Sequence, residues 1–167
     1  MSHLSICRFP DPVLKRPTTP INGIDAPIRH LADAMIRLMR AHTRCVGLAA
    51  PQVGSSLRLA VMDASVHAKS GKNHGLLVLI NPVIHTTEGG SVAREGCLSI
   101  PDFTANVSRA QRVLLRAADI SGNPFELWME GFEAIVAQHE VDHLDGRLFL
   151  DRVANLKTDV FRRKAYD

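Results

Sequence analysis

The segment Gln138-His139-Glu140-Val141-Asp142-His143-Leu144-Asp145-Gly146 constrains this chain more than any other. It holds the pattern His-Glu-x-x-His. Four residues of α-helix advance the chain by about 400°, so His139 and His143 leave nearly the same face, one turn apart. Two imidazoles so placed can grip one metal ion. Glu140, beside the first, then sits near the open position, where it can hold and deprotonate a water. Phe132, Ile135, Val136, His139 and His143 share the helical spacing, so an apolar stripe runs into the two histidines. Gly146 follows the last periodic residues, where helices commonly end on a left-handed glycine. The five-residue pattern also arises by accident on mixed helices, so the rest of the chain has to decide its meaning.

A chain of 167 residues is long enough for one domain with a real core and not comfortably two, so residues 1–167 are read as a single catalytic domain. A hydrophobic fraction of 46% with 22% charged residues is that of a globular protein rather than a disordered one. The net charge of +3 is a mild excess without a clustered basic stripe, which argues against a sequence-specific nucleic-acid module. No apolar run approaches a membrane span, and residues 1–7 lack the charged-then-apolar order of a secretory signal. Three cysteines, Cys7, Cys45 and Cys97, are an odd count for a disulfide framework and point to a reducing compartment.

Along the chain, Phe9-Pro10-Asp11-Pro12 and Arg16-Pro17-Thr18-Thr19-Pro20 are too proline-rich for helix or central strand and read as an extended surface arm. Asp25 is an N-cap candidate, and Ile28, Leu31, Ala32, Met35, Leu38 and Met39 predict an amphipathic helix over about 26–41. The stretch Cys45-Val46-Gly47-Leu48-Ala49-Ala50-Pro51-Gln52-Val53-Gly54 has no helical or strand period. Its small side chains let backbone approach a ligand, and Gln52 offers a donor and an acceptor on one amide. Strands are expected over 57–64, 76–81, 83–87, one or two within 107–120, and 125–129, with a turn at Ser121-Gly122-Asn123-Pro124. Residues 155–164 are expected to form a terminal helix with Arg162, Arg163 and Lys164 near its end. Strands do not alternate one-for-one with helices. The expected class is therefore α+β, with mostly antiparallel sheets packed around a central metal-binding helix.

A tetrahedral catalytic site needs three protein ligands and one open position. Cys97, in Arg94-Glu95-Gly96-Cys97-Leu98-Ser99-Ile100-Pro101, is the best third candidate; Glu95, Asp142 and the remaining histidines are alternatives. Asp142 fits a supporting place better.

Three segments together carry a family resemblance. Gly47-Leu48-Ala49-Ala50-Pro51-Gln52, Glu95-Gly96-Cys97-Leu98-Ser99 and Gln138-His139-Glu140-Val141-Asp142-His143 resemble the three motifs of peptide deformylases, in order. The resemblance spans nearly the whole chain. It implies hydrolysis of the N-formyl group from the formylmethionine of new polypeptides, with release of formate. It implies one divalent ion per chain, Fe2+ as the native metal, with Zn2+, Ni2+ or Co2+ as possible occupants. By the resemblance Cys97, His139 and His143 are ligands and Glu140 the general acid/base. Gln52 and the Leu98 backbone N–H stabilise the developing oxyanion. The backbones of Gly47 and Gly96 pair with the substrate main chain. Val46, Phe132, Ile135 and Val136 shape the methionine pocket, and Glu95 and Arg109 form a supporting ion pair. N-formylmethionyl nascent peptides are the implied partners, with a transient ribosome contact.

One position departs from the family. Its first motif commonly opens with glycine two residues before Gly47, where this chain has Cys45. If that position needs positive φ, the side chain costs on the order of 1 kcal/mol. Mitochondrial members with cysteine here make the mitochondrial matrix an alternative to the expected bacterial cytoplasm. Two other readings compete: a zinc peptidase of the His-Glu-x-x-His type, and a non-catalytic metal-stabilised module. The first usually takes a His or carboxylate third ligand, and the second has no use for Glu140.

Overall fold

A computed structural model of the chain describes residues 4–164. Asp25 begins the first helix: its carboxylate accepts from the Ile28 N–H at 3.0 Å, and Pro27 occupies the first turn. Helix α1 (Ala26–Ala41) follows, as the spacing predicts, and buries Ile28, Ala32, Met35 and Met39 on one face. The strands are β1 (Gly47–Ala49), β2 (Leu59–Asp63), β3 (Leu76–Glu88), β4 (Ser91–Cys97), β5 (Ile100–Arg109), β6 (Arg112–Ala118), β7 (Pro124–Glu130) and β8 (Val160–Arg162); helix α2 (Gly131–Leu144) lies between the last two. The expected α+β class is observed.

All named strand pairs are antiparallel and fall in two sheets. One has the order β1-β2-β3-β6-β7, the other β4-β5-β8. The five-stranded sheet is covered on both faces. Leu48, Leu59, Val61 and Ile80 pack with Met35 and Met39 of α1, while Ala49, Ala60, Met62 and Leu79 pack with Ala134, Ala137, Val141 and Leu144 of α2. This explains why β2 reads as an unbroken apolar run: successive side chains alternate faces, and neither face meets water. Helix α2 is in turn buried nearly all round, including Glu133, Glu140, Asp142 and His143. A third cluster, with Leu14, Ile100, Val107, Leu148 and Phe149, lies under the small sheet.

Four sequence expectations change. The strands predicted at 76–81 and 83–87 are one strand, because Asn81 takes a left-handed φ of 52° and makes a bulge instead of a break. The Asn81 side chain exchanges two 2.8 Å hydrogen bonds with the backbone of Ile21, which holds it there. Strand β5 begins at Ile100, earlier than expected. Pro101 is tolerated because it falls where the β4–β5 register jumps and needs no ladder donor. The expected terminal helix over 155–164 is not formed. Residues 149–152 make a 3-10 turn, and Val160–Arg162 pair with the free edge of β5 at Phe103–Ala105. Val160 and Phe161 favour a strand, and an unpaired edge was available to them. The proline-rich arm, finally, does more than lie on the surface. Cys7 N–H donates to Gln52 O, Phe9 N–H to Ser99 O and Thr18 N–H to Leu144 O, at 2.8–2.9 Å, and Leu14 is fully buried. The arm thus ties the first, second and third motif segments together. Among the described residues no helix is long and apolar enough to cross a membrane.

Candidate metal centre

Helix α2 carries His139 and His143 on one face as the spacing predicts, with ring centroids 4.9 Å apart. The turn Leu98-Ser99 joins β4 to β5, and the register shifts between Gly96 and Cys97. That irregularity aims Cys97 at the helix. One ligand atom from each of Cys97, His139 and His143 lies within 4.8 Å of the others, and Cys97 Sγ is 3.3 Å from His143 Nε2. A thiolate with two imidazoles is a donor set suited to zinc, iron, nickel or cobalt in tetrahedral geometry. Two buried polar atoms nearby lack a hydrogen-bond partner, Nδ1 of His143 and Oε2 of Glu140. The Glu140 oxygen, unspent beside a sulfur and two imidazoles, fits a cation with a polar group next to it.

The supporting contacts are dense. Glu95 accepts from Arg109 through both oxygens, at 2.6 and 2.9 Å, and its Oε2 also meets Nδ1 of His139 at 2.8 Å. With Nδ1 committed to that carboxylate, Nε2 of His139 is left for a ligand role. Asp142, an alternative third ligand in the sequence, is instead held by Arg109 at 2.6 Å and Arg152 at 2.6 and 3.1 Å. Arg109 therefore bridges β5, β4 and α2. Ser99 and Gln52 have contacts that sequence reasoning missed. Gln52 Oε1 accepts from Ala49 N–H at 3.0 Å, which turns Nε2 toward Cys97 Sγ and Ser99 Oγ, both at 3.3 Å. Ser99 N–H donates to the same sulfur at 3.4 Å. Only the fold brings these donors to the thiol; the spacing Cys97-x-Ser99 was the one visible hint.

The electrostatics follow from burial and neighbours. Burial opposes the Cys97 thiolate, but the charge of His143 and hydrogen bonds from both histidines outweigh it, and the thiol is held well below its usual range. Burial likewise opposes the Glu95 carboxylate, yet hydrogen bonds from Arg109 and His139 bring it down to about 2. Glu140 has no such partner. Its burial dominates and pushes the carboxyl up to about 7, with the charges of His139 and His143 pulling the other way. A carboxyl poised there can take and return a proton near neutrality.

These groups lie at the bottom of an open cleft of about 1620 Å³, larger than a small-molecule pocket and suited to an extended chain. Val46, Gly47, Gln52, Glu95, Gly96, Cys97, Leu98, Phe132, Ile135, Val136, His139 and Glu140 all line it, while Arg109 and His143 lie behind it. Cys45 lines it too. Its Sγ is 3.2 Å from Gly47 O, and burial, with Glu140 beside it, pushes its thiol up to about 12. Cys45 carries no backbone strain. Among the described residues the non-glycine positive φ angles belong to Arg44 (70°) and Asn81, so the cost anticipated for Cys45 does not arise.

Residues 3–159 match the family described as polypeptide deformylase. The chain belongs to the polypeptide deformylase family, a family of hydrolases. Across 164 residues it is 46% identical to the peptide deformylase of Alkalilimnicola ehrlichii, covering 98% of this chain and 89% of that one. It is 42% identical to that of Thermodesulfovibrio yellowstonii, covering 98% and 97%. Among solved deformylases, that of Legionella pneumophila superposes with a TM-score of 0.84 at 38% identity, over 93% of this chain and 89% of that one. The Acinetobacter baumannii deformylase with Met-Ala-Ser bound superposes with a TM-score of 0.85 at 32% identity, over 91% and 99%.

Proposed function

We propose that the chain, acting as one catalytic domain, removes the formyl group from the N-terminal formylmethionine of new polypeptides. The convergence of Cys97, His139 and His143, with the unpartnered Glu140 carboxylate beside them, carries this reading. Those three residues would hold one divalent ion, Fe2+ in the native enzyme by the family resemblance, with Zn2+, Ni2+ or Co2+ able to replace it. When bound, the ion supplies Lewis acidity that acidifies water and polarises a carbonyl.

The remaining steps belong to the chain. Strand β1 ends one sheet and β4 ends the other, so Gly47 and Gly96 each offer an unpaired edge to the cleft. A formyl peptide added between them makes main-chain hydrogen bonds to both. Val46, Phe132, Ile135 and Val136 enclose the methionine side chain. Glu140 takes a proton from the attacking water as its oxygen bonds to the formyl carbon. Gln52 Nε2 and the Leu98 N–H donate to the carbonyl oxygen as negative charge grows there. Glu140 then delivers the proton to the amine nitrogen as the C–N bond breaks, leaving formate and a free N-terminus. The related Acinetobacter enzyme was solved with a methionine-first tripeptide, which agrees with such a substrate.

Formate release from formyl-Met-Ala-Ser by ferrous, anaerobically handled protein tests the reading. No formate from a sample with stoichiometric metal rejects it. Cleavage of internal peptide bonds with formyl peptides untouched would favour the zinc-peptidase reading instead. The named relatives come from bacteria, which supports a bacterial cytoplasm over the mitochondrial matrix. A transient ribosome contact rests on the resemblance, and cosedimentation with ribosomes tests it.

A further inference from the structure

The mouth of the cleft is charged in a way the reaction does not require. Lys69, Arg94, Arg162, Arg163 and Lys164 line it, whereas the carboxylates that line it, Glu95 and Glu140, are both buried at its floor. None of these five cations makes an ion pair with a carboxylate among the described residues. Two of them sit against the strand edge that receives the peptide. Side chains of β4 alternate: Glu95 and Cys97 are buried toward α2, while Arg94 and Gly96 face outward. On the outward face Gly96, Thr104 and Phe161 form one row across β4, β5 and β8. The Arg94 guanidinium lies 3.6 Å over the Phe161 ring and donates through Nε to Asn106 Oδ1 at 3.0 Å. The Arg163 guanidinium covers Gly96 so closely that a Cβ there would collide with Nη2 and lie 3.3 Å from Cζ. The Arg163 N–H donates to Asp102 O at 2.8 Å and anchors the end of β8.

We propose that Arg94 and Arg163 select for an acidic side chain on the residue that follows the formylmethionine. The inference rests on the deformylase reading above. The methionine pocket belongs to the α2 side of β4. An extended peptide turns consecutive side chains to opposite faces, so the next residue points to the outward face. There it meets two guanidinium groups, one braced on an aromatic ring, and neither is in an ion pair with a carboxylate among the described residues. Each pair is partly exposed, so the effect is a moderate preference rather than a requirement.

The test compares formyl-Met-Glu-Ser, formyl-Met-Gln-Ser and formyl-Met-Lys-Ser on the metal-loaded full chain, following formate. Glu and Gln match in shape, so their ratio isolates charge. The expected kcat/KM ratio of Glu to Gln is about threefold to tenfold, carried by KM, with Lys poorer than Gln. It falls toward one in about 0.5 M salt, where surface charges are screened. Arg163→Gln and Arg94→Gln each reduce the ratio and together abolish it, while Arg163→Lys retains part of it. A ratio at or below one, or one that both glutamine variants leave unchanged, overturns the proposal. Loss of ribosome cosedimentation in those variants with an unchanged ratio assigns the cations to RNA and overturns it as well. Formate from none of the three peptides rejects the underlying activity, and the proposal with it. Formate from all three at equal rates rejects the selectivity alone.

Discussion

Gly47 of β1 and Glu140 of α2 touch so closely that any side chain at position 47 must push the Glu140 carboxylate aside. A Cβ there would overlap the Glu140 carboxylate, 2.7 Å from Cδ and 2.9 Å from Cγ. The constraint is steric, since Gly47 is not among the positive-φ glycines. Gly47→Ala must therefore displace the carboxylate proposed to move the proton while leaving Cys97, His139 and His143 in place. We expect kcat/KM to fall by about 10²-fold or more, within the range for losing a positioned acid/base. Metal analysis should still give one ion per chain. An alanine variant with full activity would refute the positioning argument.

Arg109 holds two buried carboxylates at once, Glu95 and Asp142, at 2.6 Å each for the nearest contacts, and all three side chains are nearly inaccessible. Removing the cation leaves Glu95 without its bidentate partner and Asp142 with Arg152 alone. Breaking a buried pair in this way costs about 3–5 kcal/mol. Arg109→Met should lower the urea midpoint accordingly, whereas Arg112→Met, which breaks the exposed pair with Glu88, should change it little.

Acid should act through Glu95. Its carboxyl ionises at about 2 in the fold against an ordinary 4.5. The unfolded chain therefore takes up this proton first as pH falls. Stability from the group is complete above 4.5 and is lost as pH drops toward 2. In Glu95→Gln the unfolding free energy should be lower at neutral pH but flatter across that window. A parallel pH profile for both proteins would show that Glu95 is not the acid-sensitive group.

Glu140 works in the opposite sense. Its carboxyl is held at about 7, so the folded chain keeps a proton that the unfolded chain has lost. Ionising it costs stability as pH rises from 4.5 to 7 in the metal-free protein, and Glu140→Gln should remove that slope. In the proposed role of base it must be deprotonated. The acid limb of kcat/KM therefore lies between those two values, and a bound cation moves it toward the lower one. Glu140→Gln should lose about 10²- to 10⁴-fold in turnover, together with this limb. Its metal content should be unchanged.

Local rules were enough for several elements. The stripe from Ile28 to Met39 and the Asp25 cap place α1 at Ala26–Ala41, and the two histidines share a face because 3.6 residues make a turn. Gly146 has the left-handed φ expected at a helix end, at 73°. It also lets the arm pass, with the Arg16 carbonyl carbon 2.8 Å from where its Cβ would be. That second reason is invisible in a sequence, because it involves a segment 130 residues away.

By itself, then, the sequence determined the helix that bears His139, Glu140 and His143, because that geometry depends only on neighbours along the chain. Only the tertiary structure brings the third donor to them. Cys97 was the first choice, with Glu95, Asp142 and the remaining histidines as alternatives, and the β4–β5 turn delivers the sulfur while Arg109 claims both carboxylates. It also decided that Val160–Arg162 become a strand, since an open edge on β5 outweighs the local tendency to coil into a helix. Contacts between distant segments are settled by packing and pairing, and no local period encodes them.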